Sequence, residues 1–427
     1  MGIIVEHLAA LVDSGVVSHP VHLQIDGTRI GAVSDSPAKP SEGDVVIDGS
    51  GKVAIPGFVN AHTHLPMTLL RGLADDLPLE TWLEEHIWPR ERRLNEDDVY
   101  WGAMLALAEM IRGGTTTCAD MYFHVDGVGR AVEEAGTRAL LSYGIIAETL
   151  DAHGREEMAR AEAVIDRWHG AAGGRIRAAV SPHAVYTCGE DVWRAATSLA
   201  AKHGVVLHTH LAETRTEVKW CLDHSSASPV KTLDGMDVFS VQVLAAHCVR
   251  VDEEDIAILA ERGVTPAHCP KSNAKLANGV APVAAMLKRG ATVALGTDGA
   301  ASNNALDMVE EMRMAALLQK GWFEDPSLLK AGEALTMATK TGAVGLGFEN
   351  ASLTVGGTAD LVLIDVEGPH TLPAHDPRSA LVYAAKASDV TDVIVAGKIL
   401  LRDGKLQTID EERLKHEIGR LSSKYRN

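Results

Sequence analysis

Cysteine is scarce and unpaired in this 427-residue chain: Cys118, Cys188, Cys221, Cys248 and Cys269 are isolated, odd in number and never spaced as Cys-x-x-Cys. That argues against a disulfide framework and against a cysteine zinc site, and it suits a reducing compartment. No apolar run approaches the roughly 20 residues that a membrane helix requires. The opening stretch MGIIVEHLAALVDSG has neither a basic start nor a small-residue cleavage site. No export signal is read there, and a cytoplasmic location is expected. Positive charge is also in short supply, with 40 Lys and Arg against 58 Asp and Glu and a net charge of −18. A surface of that sign repels phosphate backbones and anionic lipid, so neither nucleic acid nor membrane is expected as a partner. A small substrate is not constrained in this way, because a pocket can differ from the mean surface.

What is present is a globular composition, 46% hydrophobic and 23% charged, in a chain long enough for one large barrel and a smaller domain. Short strands punctuated by Gly and Asp open the chain (VHLQIDGTRIGAVSD, DVVIDGSGKVAIPG) and close it (LTVGGTADLVLIDV, VTDVIVAGKILLRDGKL), before a helical tail from Glu411 to Lys424. Neither end can bury a core alone. The expectation is a discontinuous β-sandwich domain from residues 1–55 and 356–427, flanking residues 56–355. In that middle section eight apolar runs of strand length alternate with helical stretches: IPGFVNAH, TTTCADMY, RALLSYGI, IRAAVSPH, VVLHTHL, VLAAHC, VTPAHC and TVALGTD. Eight strand–helix units are the signature of an α/β fold of the (β/α)₈ TIM-barrel type. A doubly wound open sheet alternates in the same way.

Chemistry-bearing residues collect where these runs end. The first ends in His62 and His64, the fourth in His183 and the sixth in His247, while the fifth carries His208 and His210 before Glu213 and the eighth ends in Asp298. In a barrel the C-terminal strand ends share one face, and that face holds the active site. His62, His64, His210 and Asp298 form a set of three imidazoles and one carboxylate suited to Zn²⁺ or Fe²⁺, with a position left for water. A lone His-x-His is as easily a pair of core histidines; four such groups on strand ends are not.

PGFVNAHTH, HLAET, AHC and GTDGAASNN resemble the amidohydrolase superfamily, and the resemblance extends over nearly the whole chain, including the split β domain. Two-metal members bridge their ions with a carboxylated lysine before the third ligand. No lysine stands between Lys52 and Lys202, so the resemblance implies a single divalent ion, zinc by the family's habit, and points to the deaminases. An ion so held lowers the pKa of its water from about 16 toward about 7, and the resulting hydroxide can attack an electron-poor ring carbon bearing an amine. Ammonia leaves only when protonated, and a ring nitrogen must take up a proton. Glu213 is placed to shuttle that proton, although a carboxylate at a helix start can also be merely solvated there. His247 is read as hydrogen-bonding the nucleophile, and Asp298 as both ligand and proton acceptor.

LRGLADDLPLETWLEEHIWPRERRL, GTRALLSYGI and SPHAVYTC resemble, more narrowly, the 5′-methylthioadenosine and S-adenosylhomocysteine deaminases. The resemblance implies that Glu91 binds both ribose hydroxyls, which suits a group that only accepts hydrogen bonds. It implies that Trp82 walls the base or the sulfur-bearing end and that His183 touches the ribose or purine. Arg155, with Arg138 as a second candidate, would meet a substrate carboxylate. Taken alone, Glu91 in PRERRLNEDD fits a solvated helix face and Arg155 a surface arginine. The implied substrate is an adenine nucleoside, and the implied assembly a dimer or tetramer of identical chains. Guanine, 8-oxoguanine and cytosine deaminases and triazine chlorohydrolases share almost the same ligand pattern. A non-catalytic scaffold would have lost it.

Overall fold

The computed structural model describes residues 2–425 apart from 14, 15, 20, 78, 350 and 351. All eight expected runs form one parallel sheet: β1 Phe58–Thr63, β2 Thr115–Tyr122, β3 Arg138–Ile145, β4 Ile176–Pro182, β5 Val206–Leu211, β6 Val243–His247, β7 Thr265–His268 and β8 Ala294–Leu295. Their inward residues, among them Ala61, Ala119, Leu140, Ala179, Val206, Leu244, Ala267 and Ala294, pack into a core of small and branched side chains. A helix follows nearly every strand. Several open on side-chain caps that satisfy free backbone N–H groups, such as Asn95 before Glu96–Arg112 and Asp252 before Glu253–Glu261. No helix among the described residues is long and apolar enough to cross a membrane.

The ring closes by an unusual join between β1 and the end of β8. Asp298 N donates to His62 O at 2.9 Å. The Asn60 amide accepts from Thr297 N at 2.9 Å and donates to Thr297 Oγ1 at 2.7 Å. Gly296 lets the two backbones meet, since a Cβ there would stand 2.8 Å from His62 N. β8 pairs over only two residues because its continuation is taken up by this crossing.

Both chain ends contribute to two further sheets. One has seven strands, in which Lys52–Pro56 pairs antiparallel with Leu361–Asp365; the other has four, built from the first 48 residues. Val5, Leu23, Ile25, Leu361, Leu363 and Ile394 pack together between them. The run VAIPGFVNAH therefore serves two sheets. It divides at Gly57, where a Cβ would lie 2.2 Å from the Thr116 side chain.

Candidate active site

The site is built at the C-terminal rim. β1 ends at Thr63, and His64 lies just beyond it, before the turn Leu65–Leu70. The rings of His62 and His64 meet nearly at right angles, with centroids 4.9 Å apart. His210 on β5 stands with its ring 4.9 Å from that of His62 and 5.5 Å from that of His64. Side-chain ligand atoms of His62, His64 and His210 lie within 4.8 Å of one another, as do those of His62, His247 and Asp298.

The partners of these rings set their tautomers. His64 Nδ1 donates to Met121 O at 2.6 Å, His210 Nδ1 to His183 O at 2.9 Å and His247 Nδ1 to Asn273 Oδ1 at 3.0 Å. An acceptor oxygen requires a proton on Nδ1, which leaves the Nε2 lone pair free. His62 Nδ1 shares a hydrogen bond with His208 Nε2 at 2.9 Å, and its Nε2 is buried without a partner. Asp298 is turned by a left-handed backbone (φ 63°). Ser272 and Ser302 donate to its Oδ2 at 2.6 and 2.8 Å. Its Oδ1, which also accepts from Gly299 N, faces His62 Nε2 at 3.6 Å and His64 Nε2 at 3.4 Å. Ligand atoms about 2.1 Å from one ion at tetrahedral angles stand about 3.4 Å apart. The orphaned His62 Nε2 and these separations fit a divalent ion.

Burial pushes the His62 imidazole down to about 3 and His183 to about 4, and places His210 well below the usual range. Neutral rings are what a cation needs. Burial alone would raise the Asp298 carboxyl; the facing His62 ring and the neighbouring His64 and His247 hold it well below the ordinary carboxylate range. For Glu213 burial prevails and raises the pKa, against the opposing pull of His247. Asn278 Nδ2 donates to Glu213 Oε1 at 2.8 Å, and Glu213 Oε2 lies 3.7 Å from His247 Nε2.

A pocket opens over this cluster. Its lining includes His64, His183, His210, Glu213, His247 and Asp298 together with Met67, Trp82, Trp88, Glu91, Tyr122 and Phe123. Trp82 is 5% exposed and begins a π-helical turn that runs to Ile87. Glu91 faces inward rather than to solvent. Its Oε1 and the Tyr122 hydroxyl are both buried and neither makes a geometric hydrogen bond; burial raises the Glu91 pKa, against the opposing pull of the nearby Tyr122 hydroxyl.

The two arginines expected to meet a substrate carboxylate lie outside the pocket lining. Arg138 begins β3, so it lies at the opposite rim, where Nε and Nη2 bind Asp360 at 2.6 and 3.1 Å and tie the barrel floor to the β domain. Arg155 is exposed on the helix Ala152–Trp168, outside the pocket lining, and donates to Leu150 O at 2.9 Å. Sequence reasoning named His208 without giving it a role, and missed Asn273, Asn278, Ser272, Ser302 and Tyr122. Only His208 carried a signal, its two-residue spacing from His210.

Deeper down, Glu311 accepts from Asn303 Nδ2 at 2.6 Å, and the same amide donates to Thr297 O beside Asp298. Burial raises the Glu311 pKa from 4.5 to about 8. A carboxyl raised in this way contributes stability that is complete below its unfolded pKa and is lost as pH rises through the folded value. The melting temperature of Glu311→Gln, relative to the parent, should therefore climb between about pH 5.5 and about pH 8.5. A pH-independent difference between the two would refute the assignment.

An α/β barrel with imidazoles and a carboxylate gathered on its C-terminal rim defines a metal-dependent hydrolase. The chain belongs to the amidohydrolase family, whose model matches residues 53–400. It is 48% identical to the 5-methylthioadenosine/S-adenosylhomocysteine deaminase of Dictyoglomus thermophilum over 418 residues, covering 98% of this chain and 97% of that one. It is also 48% identical to the 5′-deoxyadenosine deaminase of Methanothermobacter thermautotrophicus over 388 residues, 91% of each. Among solved structures, an adenosine deaminase from Xanthomonas campestris with bound zinc superposes with a TM-score of 0.93 at 36% identity, covering 99% of this chain and 98% of that one.

Proposed function

We propose that the protein hydrolyses the 6-amino group of an adenine nucleoside, 5′-methylthioadenosine or S-adenosylhomocysteine and by extension adenosine, giving the inosine analogue and ammonia. The observation that carries this reading is the unpaired, buried Glu91 carboxylate oxygen facing the same pocket as the histidine–aspartate cluster. A group that only accepts hydrogen bonds is matched by the two hydroxyls of a ribose.

His62, His64, His210 and Asp298 would hold one divalent ion, for which zinc is our assignment, supported by the zinc in the Xanthomonas relative. When bound, the ion supplies a water whose pKa is lowered from about 16 toward about 7. Trp82 and Met67 form the apolar wall against the purine, and His183 closes the side nearest His210. His247 Nε2 would hydrogen-bond the nucleophilic water. Asp298 Oδ1, the oxygen not held by the serines, would receive a proton from it. Glu213, with its pKa raised by burial, would pass one proton of the water to the ring nitrogen as C6 is attacked, and the other, taken up by Asp298, would go to the departing amine. The balance is one water consumed, the C6–N bond broken, a C6–O bond formed and one ammonia released.

Ammonia release, with the adenine-to-hypoxanthine absorbance change, across adenine nucleosides, free adenine, guanine, cytosine and a chlorotriazine tests the reading. Nucleosides should lead by a wide margin. Glu91→Ala should cost a nucleoside about 100-fold in kcat/KM, the worth of two hydrogen bonds to a charged acceptor, while free adenine loses little. Equal losses on the two substrates would remove the ribose from the argument.

A further inference from the structure

Glu217 belongs to no role described so far, yet it is 2% exposed and sits one turn beyond Glu213. Its place is the third residue of the helix Arg215–Ser225, which is capped by Thr214, whose Oγ1 accepts from Glu217 N at 3.0 Å. A glutamate at that position ordinarily reaches back to the N–H of the capping residue itself. Glu217 passes over Thr214. Its Oε1 accepts from Ala212 N at 2.8 Å and its Oε2 from Glu213 N at 2.7 Å. Both oxygens are thus committed to the two residues that carry the chain from β5 into the pocket.

That turn needs holding. Ala212 has φ 51°, a left-handed and therefore strained conformation in a residue with a Cβ. From the other side its backbone is gripped by the segment that leaves β6: Cys248 N donates to Leu211 O at 2.9 Å and Arg250 N to Ala212 O at 2.7 Å. Glu217 supplies the opposing grip. Glu213 is consequently fixed at two points, its backbone by Glu217 and its carboxylate by Asn278. Burial pushes the Glu217 carboxyl up to about 7, and the N–H groups of Glu213 and Ala212 oppose that shift.

We propose that Glu217 is a positioning residue for catalysis, clamping the strained Ala212–Glu213 turn so that the Glu213 carboxyl is aimed at the substrate. This rests on the reading of Glu213 as the proton carrier. Misplacement of a reacting group by about 1 Å costs about 100-fold in rate. The neutral isostere offers one acceptor to two N–H groups and sets an amide NH₂ against the second.

The test uses the metal-loaded enzyme with a nucleoside it turns over. Glu217→Gln should lose about 100-fold in kcat, with KM within about threefold and metal content unchanged. Thr214→Ala weakens the same helix by removing its cap, without freeing the N–H groups of Ala212 or Glu213; its kcat should stay within about threefold of the parent while its melting temperature falls. A merely structural glutamate would make the two variants alike, and that result overturns the proposal. So does a Glu217→Gln enzyme with near-parental kcat, or one whose loss lies in KM or in metal content. Should Glu217→Gln fold poorly, adding Ala212→Gly relieves the left-handed strain and restores folded protein. The double variant should remain slow, and parental kcat in it would also overturn the clamp. Failure of the underlying reading looks different: Glu213→Gln would then retain activity whatever Glu217 does.

Discussion

Glu213→Gln is expected to lower kcat by about a thousandfold, within the range that a positioned acid–base contributes, while leaving KM and bound metal nearly unchanged. The amide keeps the volume and can still meet Asn278, but it can neither deliver nor collect a proton. The carboxyl is suited to that task because burial raises its pKa and it lies 3.7 Å from His247 Nε2 on the pocket floor. Steady-state ammonia release with the preferred nucleoside, accompanied by metal analysis of the same sample, measures the effect. A variant within about tenfold of the parent would make Glu213 a bystander.

Stripping the ion should have the largest effect of all. After dialysis against a chelator, turnover should fall by at least about four orders of magnitude, because water loses the ionisation that an ion provides. Zn²⁺ added back in stoichiometric amount should restore it. The melting temperature should fall with the metal and return with it, since an ion that binds only the folded chain stabilises it by mass action. His62 makes the thermal change informative apart from activity: its Nε2 has no partner in the protein and is 0% exposed with the rest of its ring. Full activity after complete metal removal would contradict the whole scheme, and restoration by Fe²⁺ but not Zn²⁺ would contradict the choice of ion.

The barrel was legible because each strand is a short apolar run followed by a helical stretch, and all eight runs are strands. The cluster came from that register: His62, His64, His210, His247 and Asp298 are at strand ends and so had to share a rim. Position along an element also decided where the two arginines lie. Arg138 opens its strand rather than closing it, which puts it at the far rim beside Asp360. Arg155 lies on a helix, where no register dictates the face, and it points to solvent. Glu91 appeared in a charged run of surface character; its inward orientation comes from the π-helical turn Trp82–Ile87 just before it, and periodicity does not announce such a turn. Glu217 and Asn278 act through geometry that exists only after the strands have met. Nothing in their spacing distinguishes them from an ordinary helix residue and an ordinary loop amide.

The seam at Asn60 and Thr297 bears on when this protein becomes competent. Those two residues are separated by 237 positions, and the carboxylate that faces His62 and His64 comes one residue later. During synthesis, a ribosome must have delivered roughly seven-tenths of the polypeptide before any cation can find its fourth donor. Even then the strand that carries it must dock against the first one made. Completion of the four-donor set is thereby postponed until the ring is shut, so a fully coordinated ion would certify a correctly assembled chain.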